Sequence, residues 1–444
     1  MRDETCRRVV MISTHGYVGA QTELGKPDTG GQVVYVLELS KCLARMGFPV
    51  DILTRQFEGQ PAAEDVSDKV RVLRFPCGGP EFIPKETLCD HIPEWVLAAS
   101  NELNADYAKE VAFVASHYWD AGLAGTRLAK IWNVPHIHTP HSLGVWKRDS
   151  MPGEPAEKEN RYNFRRRIGE ERRIYAAADL VVATTPQQAE VLACAEYGVR
   201  ADRIATIPPG FDDTRFYTVS MATRQVLKRQ LNLQGKVVLA LGRMARNKGY
   251  DLLIRAMSPV FERVADARLL LAVGASHLTA DEKTQLAGLQ DVAAQLGWRE
   301  RVEFRDYIAD EALPDYYRAS DAFALSSRYE PFGMTAVEAM ACGTPTVITT
   351  EGGLWKEIVW GSEALYADPN DTESFGHAIC RTLLYPEIAA RLSENGARKA
   401  RARFTWTAVA QELLNAVAES FATATAAGAS PGHGHDSRSA LVPH

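Results

Sequence analysis

The sequence has no apolar run long enough to cross a membrane. The first, Val9-Val10-Met11-Ile12, and later ones such as residues 269–273 fall far short of the roughly 18 residues a span requires. The first of these runs is also too short for a signal peptide, so a cytoplasmic protein is expected. Cysteines are few: Cys6, Cys42, Cys77, Cys89, Cys194, Cys342 and Cys380 are scattered without a C-x-x-C pair. An odd, dispersed set fits reduced core thiols better than a disulfide framework or a zinc site. Nor is there an excess of basic charge. The 50 Lys and Arg against 56 Asp and Glu leave a formal net charge of −6 and a pI near 6.0, so neither nucleic acid nor an anionic membrane is expected as a partner. What remains is ordinary globular composition, 46% hydrophobic and 24% charged over 444 residues, enough chain for two or three domains.

The recurring pattern is a short apolar run, a glycine-containing loop, then a helical stretch. Residues 9–12, 50–53, 111–115, 136–139 and 180–184 read as strands, with an amphipathic helix over 33–46. Ile207-Pro208-Pro209-Gly210 then punctuates the chain. After it the pattern restarts, with strands expected at 236–241, 268–273, 302–304, 322–325 and 346–349. Alternating strands and helices imply mostly parallel sheets covered on both faces. The fold class is therefore α/β, with two Rossmann-like halves. An N-terminal domain is expected over 1–210 and a C-terminal one over 211–423, the last helices being candidates to return to the first domain. A ligand cleft is expected between the halves, at the carboxyl ends of the strands. Residues 424–444, rich in Ala, Gly, Ser and Pro, read as a disordered tail.

Three loops carry chemistry. Asp28-Thr29-Gly30-Gly31-Gln32 stands before the first helix, where paired glycines admit close backbone approach and free amides favour an anion. It lacks the full G-x-G-x-x-G spacing of a dinucleotide site. The second half opens with Gly242-Arg243-Met244-Ala245-Arg246-Asn247-Lys248-Gly249, in which Arg243 and Lys248 suit a diphosphate unless they are simply solvated. The strongest segment is Glu330-Pro331-Phe332-Gly333-Met334-Thr335-Ala336-Val337-Glu338, a turn leading into a helix that starts near Met334 and stops at Gly343 and Pro345. Its carboxylates suit sugar and ribose hydroxyls. Thr335-x-x-Glu338 also has the form of a capping box, which would account for the second Glu but not the first.

His136-Ile137-His138-Thr139-Pro140-His141-Ser142 places His136 and His138 on one strand face and His141 beyond Pro140. No nearby Cys or carboxylate completes a metal set, so no metal is expected there. Ser116-His117-Tyr118-Trp119-Asp120 ends another strand, with Asp120 a candidate helix cap. Lys85 and the run Arg165-Arg166-Arg167 supply basic charge to the N-terminal half; three consecutive arginines are more usually a solvated face.

Taken together, Glu330-x7-Glu338, Gly242-Arg243-x4-Lys248-Gly249 and the glycine pair before the first helix resemble the retaining GT-B glycosyltransferases over nearly the whole chain. His15-Gly16, Asp28 to Gln32, Phe82-Ile83-Pro84-Lys85-Glu86, the Ser116 to Asp120 segment and His138 to Gly144 are similar to the sucrose-phosphate synthase group. Ser326-Ser327-Arg328-Tyr329-Glu330 and Phe404-Thr405-Trp406-Thr407 look most like its mannosyl-transferring bacterial branch. The resemblance implies a donor site in the C-terminal half, where Arg243 and Lys248 neutralise the diphosphate and Glu330 holds the transferred sugar. Glu338 would hold the ribose, with backbone amides of Phe332, Gly333, Met334 and Thr335 on sugar and phosphate oxygens. Gly30, Gly31 and Gln32 would border the reaction centre, with His141 against the donor sugar. Gln32, Lys85, Tyr118, Ser142, Arg166 and Arg167 are the candidates for the acceptor and its phosphate.

The reaction so implied moves mannose from GDP-mannose to the anomeric hydroxyl of fructose 6-phosphate, giving mannosylfructose phosphate with retention, after closure about Pro208-Pro209-Gly210. No Asp-x-Asp pair occurs, so no tightly bound cofactor is expected; soluble Mg2+ or Mn2+ is a candidate stimulant and a downstream phosphatase a candidate partner. The alternative with the same acceptor is glucose transfer from UDP- or ADP-glucose, giving sucrose phosphate. A nucleotide-sugar epimerase would not need the basic acceptor cluster. A non-catalytic sugar-nucleotide sensor would be expected to have lost His141 or the Arg243/Lys248 pair. One departure from the family is Phe304-Arg305-Asp306-Tyr307, whose charged side chains stand where the base-binding loop usually has a small residue or glycine.

Overall fold

A computed structural model describes residues 7–20, 28–151, 153–273, 278–305 and 308–427, with side chains as far as residue 422. The chain forms two compact units. One holds the described residues up to Pro208 and those from Trp406 onward; the other is Pro209–Thr405.

The first unit is built on eight strands: β1 (Arg8–Ile12), β2 (Val50–Gln56), β3 (Ala63–Ser67), β4 (Val70–Pro76), β5 (Val111–His117), β6 (His136–Thr139), β7 (Leu180–Ala183) and β8 (Ile204–Thr206). Their order is β3-β4-β2-β1-β5-β6-β7-β8, parallel throughout except for β3 against β4. Val9, Val10, Met11 and Ile12 are all fully buried, as a central strand covered by helices on both faces requires. The chain winds outward from β1 in one direction and from β5 in the other. The carboxyl ends of these two neighbours, with Ile12 in register with Ser116, are therefore the topological switch point where an open α/β sheet offers a crevice.

The second unit repeats the plan with six parallel strands: β9 (Lys236–Gly242), β10 (Ala267–Val273), β11 (Val302–Arg305), β12 (Ala322–Leu325), β13 (Thr346–Thr349) and β14 (Leu365–Ala367). Their order, β11-β10-β9-β12-β13-β14, puts the switch point between β9 and β12. The loops leaving these two strands carry Lys248 and Glu330.

Ten strands lie where the alternating pattern predicts them, whereas β3, β4, β8 and β14 were not anticipated. β3 is the antiparallel edge, Ala-Glu-Asp-Val-Ser, partly or fully exposed along its length; charged edge residues discourage further pairing and also erase the apolar signal. The helix Trp406–Ala427 lies in the first unit, with the Trp406 ring edge-on to Tyr35 at 5.2 Å and Val409, Ala410, Leu413 and Val417 buried along one stripe. This helix corrects the expected tail, since residues 424–427 are helical and only those beyond lie outside the described residues. Cys42, Cys77, Cys89, Cys342 and Cys380 are buried thiols as expected, but Cys194 is exposed. Among the described residues no helix is long and apolar enough to cross a membrane.

Candidate active site

In the second unit, two loops that leave adjacent strands are pressed together. Gly249 adopts φ +65°, and a Cβ there would stand 2.2 Å from the Ser326 carbonyl oxygen, so only glycine permits the contact. Lys248, just before it, donates from Nζ to Glu330 Oε2 at 2.6 Å, and Ser327 Oγ donates to the same oxygen at 3.2 Å. The Glu330 N–H is spent on the Glu351 carbonyl at 3.1 Å. Lys248 and Glu330, 82 residues apart in sequence, thus meet as a largely buried ion pair. Arg243 is exposed and makes no side-chain hydrogen bond among the described residues, leaving its five donors for an anion.

Gly333, at φ +114°, turns the chain into the helix Met334–Ala341, which has no side-chain cap and no acidic residue in its first turn. Its leading amides are free to meet an anion, and a Cβ on Gly333 would lie 3.7 Å from Glu330 Cγ. The capping-box reading of Glu338 fails here: Thr335 is the helix's second residue and caps nothing. Glu338 instead accepts from Tyr317 Oη at 2.9 Å. Burial pushes its carboxyl up to about 7 despite that bond. Phe332 is core, its ring 5.6 Å from Phe404, so only its backbone can serve a ligand.

If Glu338 accepts donor ribose hydroxyls, its ionised form is the binding form. The KM for the donor should then fall as pH rises through 7, and Glu338→Gln should flatten that dependence; a wild-type KM constant from pH 6 to 8 would refute the role.

In the first unit the loops after β1 and β5 meet at the switch point. Asp120 is fully buried, accepts from Thr14 Oγ1 at 2.6 Å, and stands 2.9 and 3.0 Å from His15 Nδ1. It is no helix cap, for the helix Trp119–Trp132 has no side-chain cap bond. Gly16 has φ +78°, and a Cβ there would lie 2.6 Å from the Asp28 carbonyl oxygen, so both the conformation and the space call for glycine. Asp28 in turn takes the Lys85 N–H at 3.1 Å and its ammonium. Burial alone would raise the Asp28 carboxyl, but Lys85 outweighs it and holds the pKa below the usual carboxylate range. Gly30 and Gly31 open the helix Gly31–Arg45 without a side-chain cap, and Gln32 Nε2 donates to Ser13 Oγ at 3.1 Å and the His117 carbonyl at 3.2 Å.

Three acceptor candidates come together. Arg167, anchored by Glu171 at 2.8 Å, donates to Tyr118 Oη at 2.9 Å and to Ser142 Oγ at 3.4 Å. Arg166 does not join them; it pairs with Asp90 at 2.7 Å on the surface.

His141 sits at φ +58° with Nε2 3.0 Å from His117 Nδ1, while His117 Nε2 is 3.3 Å from Met11 Sδ. A thioether only accepts, so the consistent chain has His117 donating to sulfur and His141 donating to His117. His141 Nδ1 is then a lone-pair acceptor suited to a hydroxyl. Burial, reinforced by His117 and His15, drives His141 well below its ordinary pKa and keeps it neutral. His136 Nε2 and His138 Nδ1 share Ser116 Oγ at 2.7 and 2.8 Å, on one strand face as the alternation predicts.

The His15–Asp120 pair was not foreseen, although both residues stand in the motifs that carried the resemblance. In the segment Phe304 to Tyr307 that departs from the family pattern, Arg305 reaches Tyr316 Oη at 2.8 Å and pairs with Glu303; Asp306 and Tyr307 lie outside the described residues.

Comparison with known proteins gives the family. The family model of glycosyl transferases group 1 matches residues 223–399, that of glycosyltransferase family 4 residues 29–215, and that of the first GT-B domain of sucrose synthase residues 3–50. Mannosylfructose-phosphate synthase of Agrobacterium fabrum is 51% identical over 416 residues, 92% of this chain and 90% of that one. D-inositol 3-phosphate glycosyltransferase of Xylanimonas cellulosilytica is 35% identical, covering 93% and 96%. The solved sucrose-phosphate synthase of Thermosynechococcus elongatus superposes with a TM-score of 0.80 at 31% identity, over 94% of this chain and all of that one. Fold and relatives together define a glycosyltransferase with two parallel-sheet α/β domains of the GT-B type. The chain belongs to the group 1 glycosyltransferases, in the branch that holds the sucrose-phosphate and mannosylfructose-phosphate synthases.

Proposed function

We propose that the protein is a retaining hexosyltransferase that moves mannose from GDP-mannose to the anomeric hydroxyl of fructose 6-phosphate, giving mannosylfructose phosphate. The observation that carries the reading is the Lys248–Glu330 pair next to the uncapped helix at Met334, which brings a cation and a carboxylate beside a helix start suited to an anion. The choice of sugars rests on the likeness to the Agrobacterium protein.

In this reading the bond from the sugar's anomeric carbon to the diphosphate oxygen breaks, and the charge growing on that oxygen is met by Lys248, Arg243 and the amides of Met334 and Thr335. The acceptor's anomeric oxygen bonds to the same carbon on the face the diphosphate leaves. Because attack is on that same face, retention needs no protein nucleophile, and the acceptor's proton passes to the departing phosphate, which serves as the base. Glu330 orients the transferred sugar and neutral His141 takes one of its hydroxyl hydrogen bonds. Lys85, Tyr118, Ser142 and Arg167 hold the acceptor phosphate; Arg166, paired with Asp90, takes no part.

The second reading, glucose transfer from UDP- or ADP-glucose to the same acceptor, is favoured by the likeness to the Thermosynechococcus structure. Nucleoside diphosphate release, measured with GDP-mannose, UDP-glucose and ADP-glucose in the presence and absence of fructose 6-phosphate, separates the two. Acceptor-dependent release from GDP-mannose alone is the expected result. Preference for a glucose donor would replace the mannosyl assignment and leave the site intact. No acceptor stimulation with any donor would overturn the acceptor site.

A further inference from the structure

The Lys248–Glu330 pair is not held by its own ion pair alone. Arg328 stands two residues before Glu330, and Asp251 three after Lys248. Arg328 grips Asp251 with two parallel bonds, Nη1 to Oδ1 at 2.7 Å and Nη2 to Oδ2 at 2.6 Å, the planar fork that only arginine provides. The same guanidinium reaches the Arg246 carbonyl at 3.3 Å, and the Arg328 N–H donates to the Asn247 carbonyl at 2.7 Å. Asn247 answers from Nδ2 to the Tyr329 carbonyl at 3.1 Å, and Ser326 Oγ donates to the Lys248 and Gly249 carbonyls at 3.2 and 3.1 Å.

These bonds join residues 246–251 to residues 326–330 on either side of the ion pair. Lys248 lies in the three-residue turn Arg246–Lys248, and Asp251 in the first turn of the helix Tyr250–Ala256 that follows it, so the clasp ties the Glu330 loop to a helix start. Burial would raise the Asp251 carboxyl, but Arg328 outweighs it and holds the pKa below the usual range, so the clasp stays charged at neutral pH.

We propose that Arg328 is a positioning residue for glycosyl transfer: by clasping Asp251 it locks the Lys248 loop to the Glu330 loop and fixes the spacing between the diphosphate cation and the sugar-binding carboxylate. Arg328 touches neither donor nor acceptor in this assignment, which rests on the proposed donor site. A misplacement of about 1 Å between reacting groups costs on the order of 100-fold in rate, so loosening the clasp acts on turnover before it acts on folding.

The test uses the full chain with GDP-mannose and fructose 6-phosphate, and compares kcat per folded molecule, both KM values and the thermal midpoint. Arg328→Gln is expected to lower kcat by roughly 10- to 100-fold, with the KM for fructose 6-phosphate unchanged. Arg328→Lys, which keeps the charge but loses the fork, should recover part of the loss, and Asp251→Asn should match Arg328→Gln. The double variant Arg328→Gln/Asp251→Asn should be no worse than either single one, the signature of residues acting as a unit. If Arg328→Gln does not fold, Arg328→Lys and Asp251→Asn carry the same comparison. A wild-type kcat in these variants, or losses that multiply in the double variant, overturns the clasp. Lys248→Ala serves as the control: if it is inactive while Arg328→Gln is fully active, the clasp alone falls; if Lys248→Ala is active, the donor site falls and the clasp with it.

Discussion

Lys248→Ala is expected to lower kcat by about 100- to 1,000-fold, the usual loss when one preorganised donor to a developing oxyanion is removed. Two physical effects add. The ammonium that would meet the leaving diphosphate is gone, and Glu330 loses the partner that fixes its carboxylate at 2.6 Å, keeping only Ser327 Oγ at 3.2 Å. The side chains of the pair are 18% and 12% exposed, so some water reaches the orphaned carboxylate and the cost in stability stays near 1–2 kcal/mol. Single-turnover chemistry and urea unfolding on the same preparation decide the matter. A kcat within threefold of wild type would refute the donor-site assignment. Unfolding at ordinary temperature would instead make the pair a structural bridge between β9 and β12. Glu330→Ala should show the same imbalance between rate and stability, because it removes the other half of the same contact.

What was legible in the sequence follows from how local each signal is. Central strands such as β12 and β13 match their expected residues because four consecutive buried apolar or β-branched residues between loops need no partner to be recognised. Glycines that bound the site loops are legible for the same reason, since Gly16, Gly249 and Gly333 each mark a backbone turn. The pairings that complete the sites are not local. His15 meets Asp120 across 105 residues, and Arg328 meets Asp251 across 77; no periodicity links such positions. Thr335-x-x-Glu338 shows the opposite error, a local pattern that the fold does not use, because Gly333 starts the helix two residues too early for a capping box. Arg166 and Arg167 are neighbours in sequence, but successive helix positions point about 100° apart, so one reaches Tyr118 and the other Asp90.

Acidification is expected to unfold the first unit before the second. His117, His136 and His138 are 1%, 2% and 0% exposed. Burial drives His117 and His136 down to about 3, and burial with three histidine neighbours drives His138 well below 6.5. In the unfolded chain each titrates near 6.5. Below that pH the unfolded state binds protons that the folded state refuses, so stability falls as pH falls from 6.5 toward about 3. Each histidine contributes a slope of at most about 1.4 kcal/mol per pH unit, and the three together about 4. His141, driven down by burial as well, adds to the same slope. In the second unit the sign reverses: Glu338 titrates near 7 when folded, so between about 4.5 and 7 the folded unit holds the extra proton and gains stability as pH falls. Asp28 and Glu64 are held below their ordinary values and weaken the first unit only at lower pH, which confines the clean window to pH 5–6.5. Hydrogen exchange at pH 6.5 and 5.2 should show loss of protection in β1, β5 and β6 while β9, β12 and β13 hold. Replacing His136 and His138 together with Gln should remove about half of that pH slope, leaving the share of His117 and His141. Equal loss of protection in both units, or a slope that survives the double replacement undiminished, would place the acid-sensitive groups elsewhere.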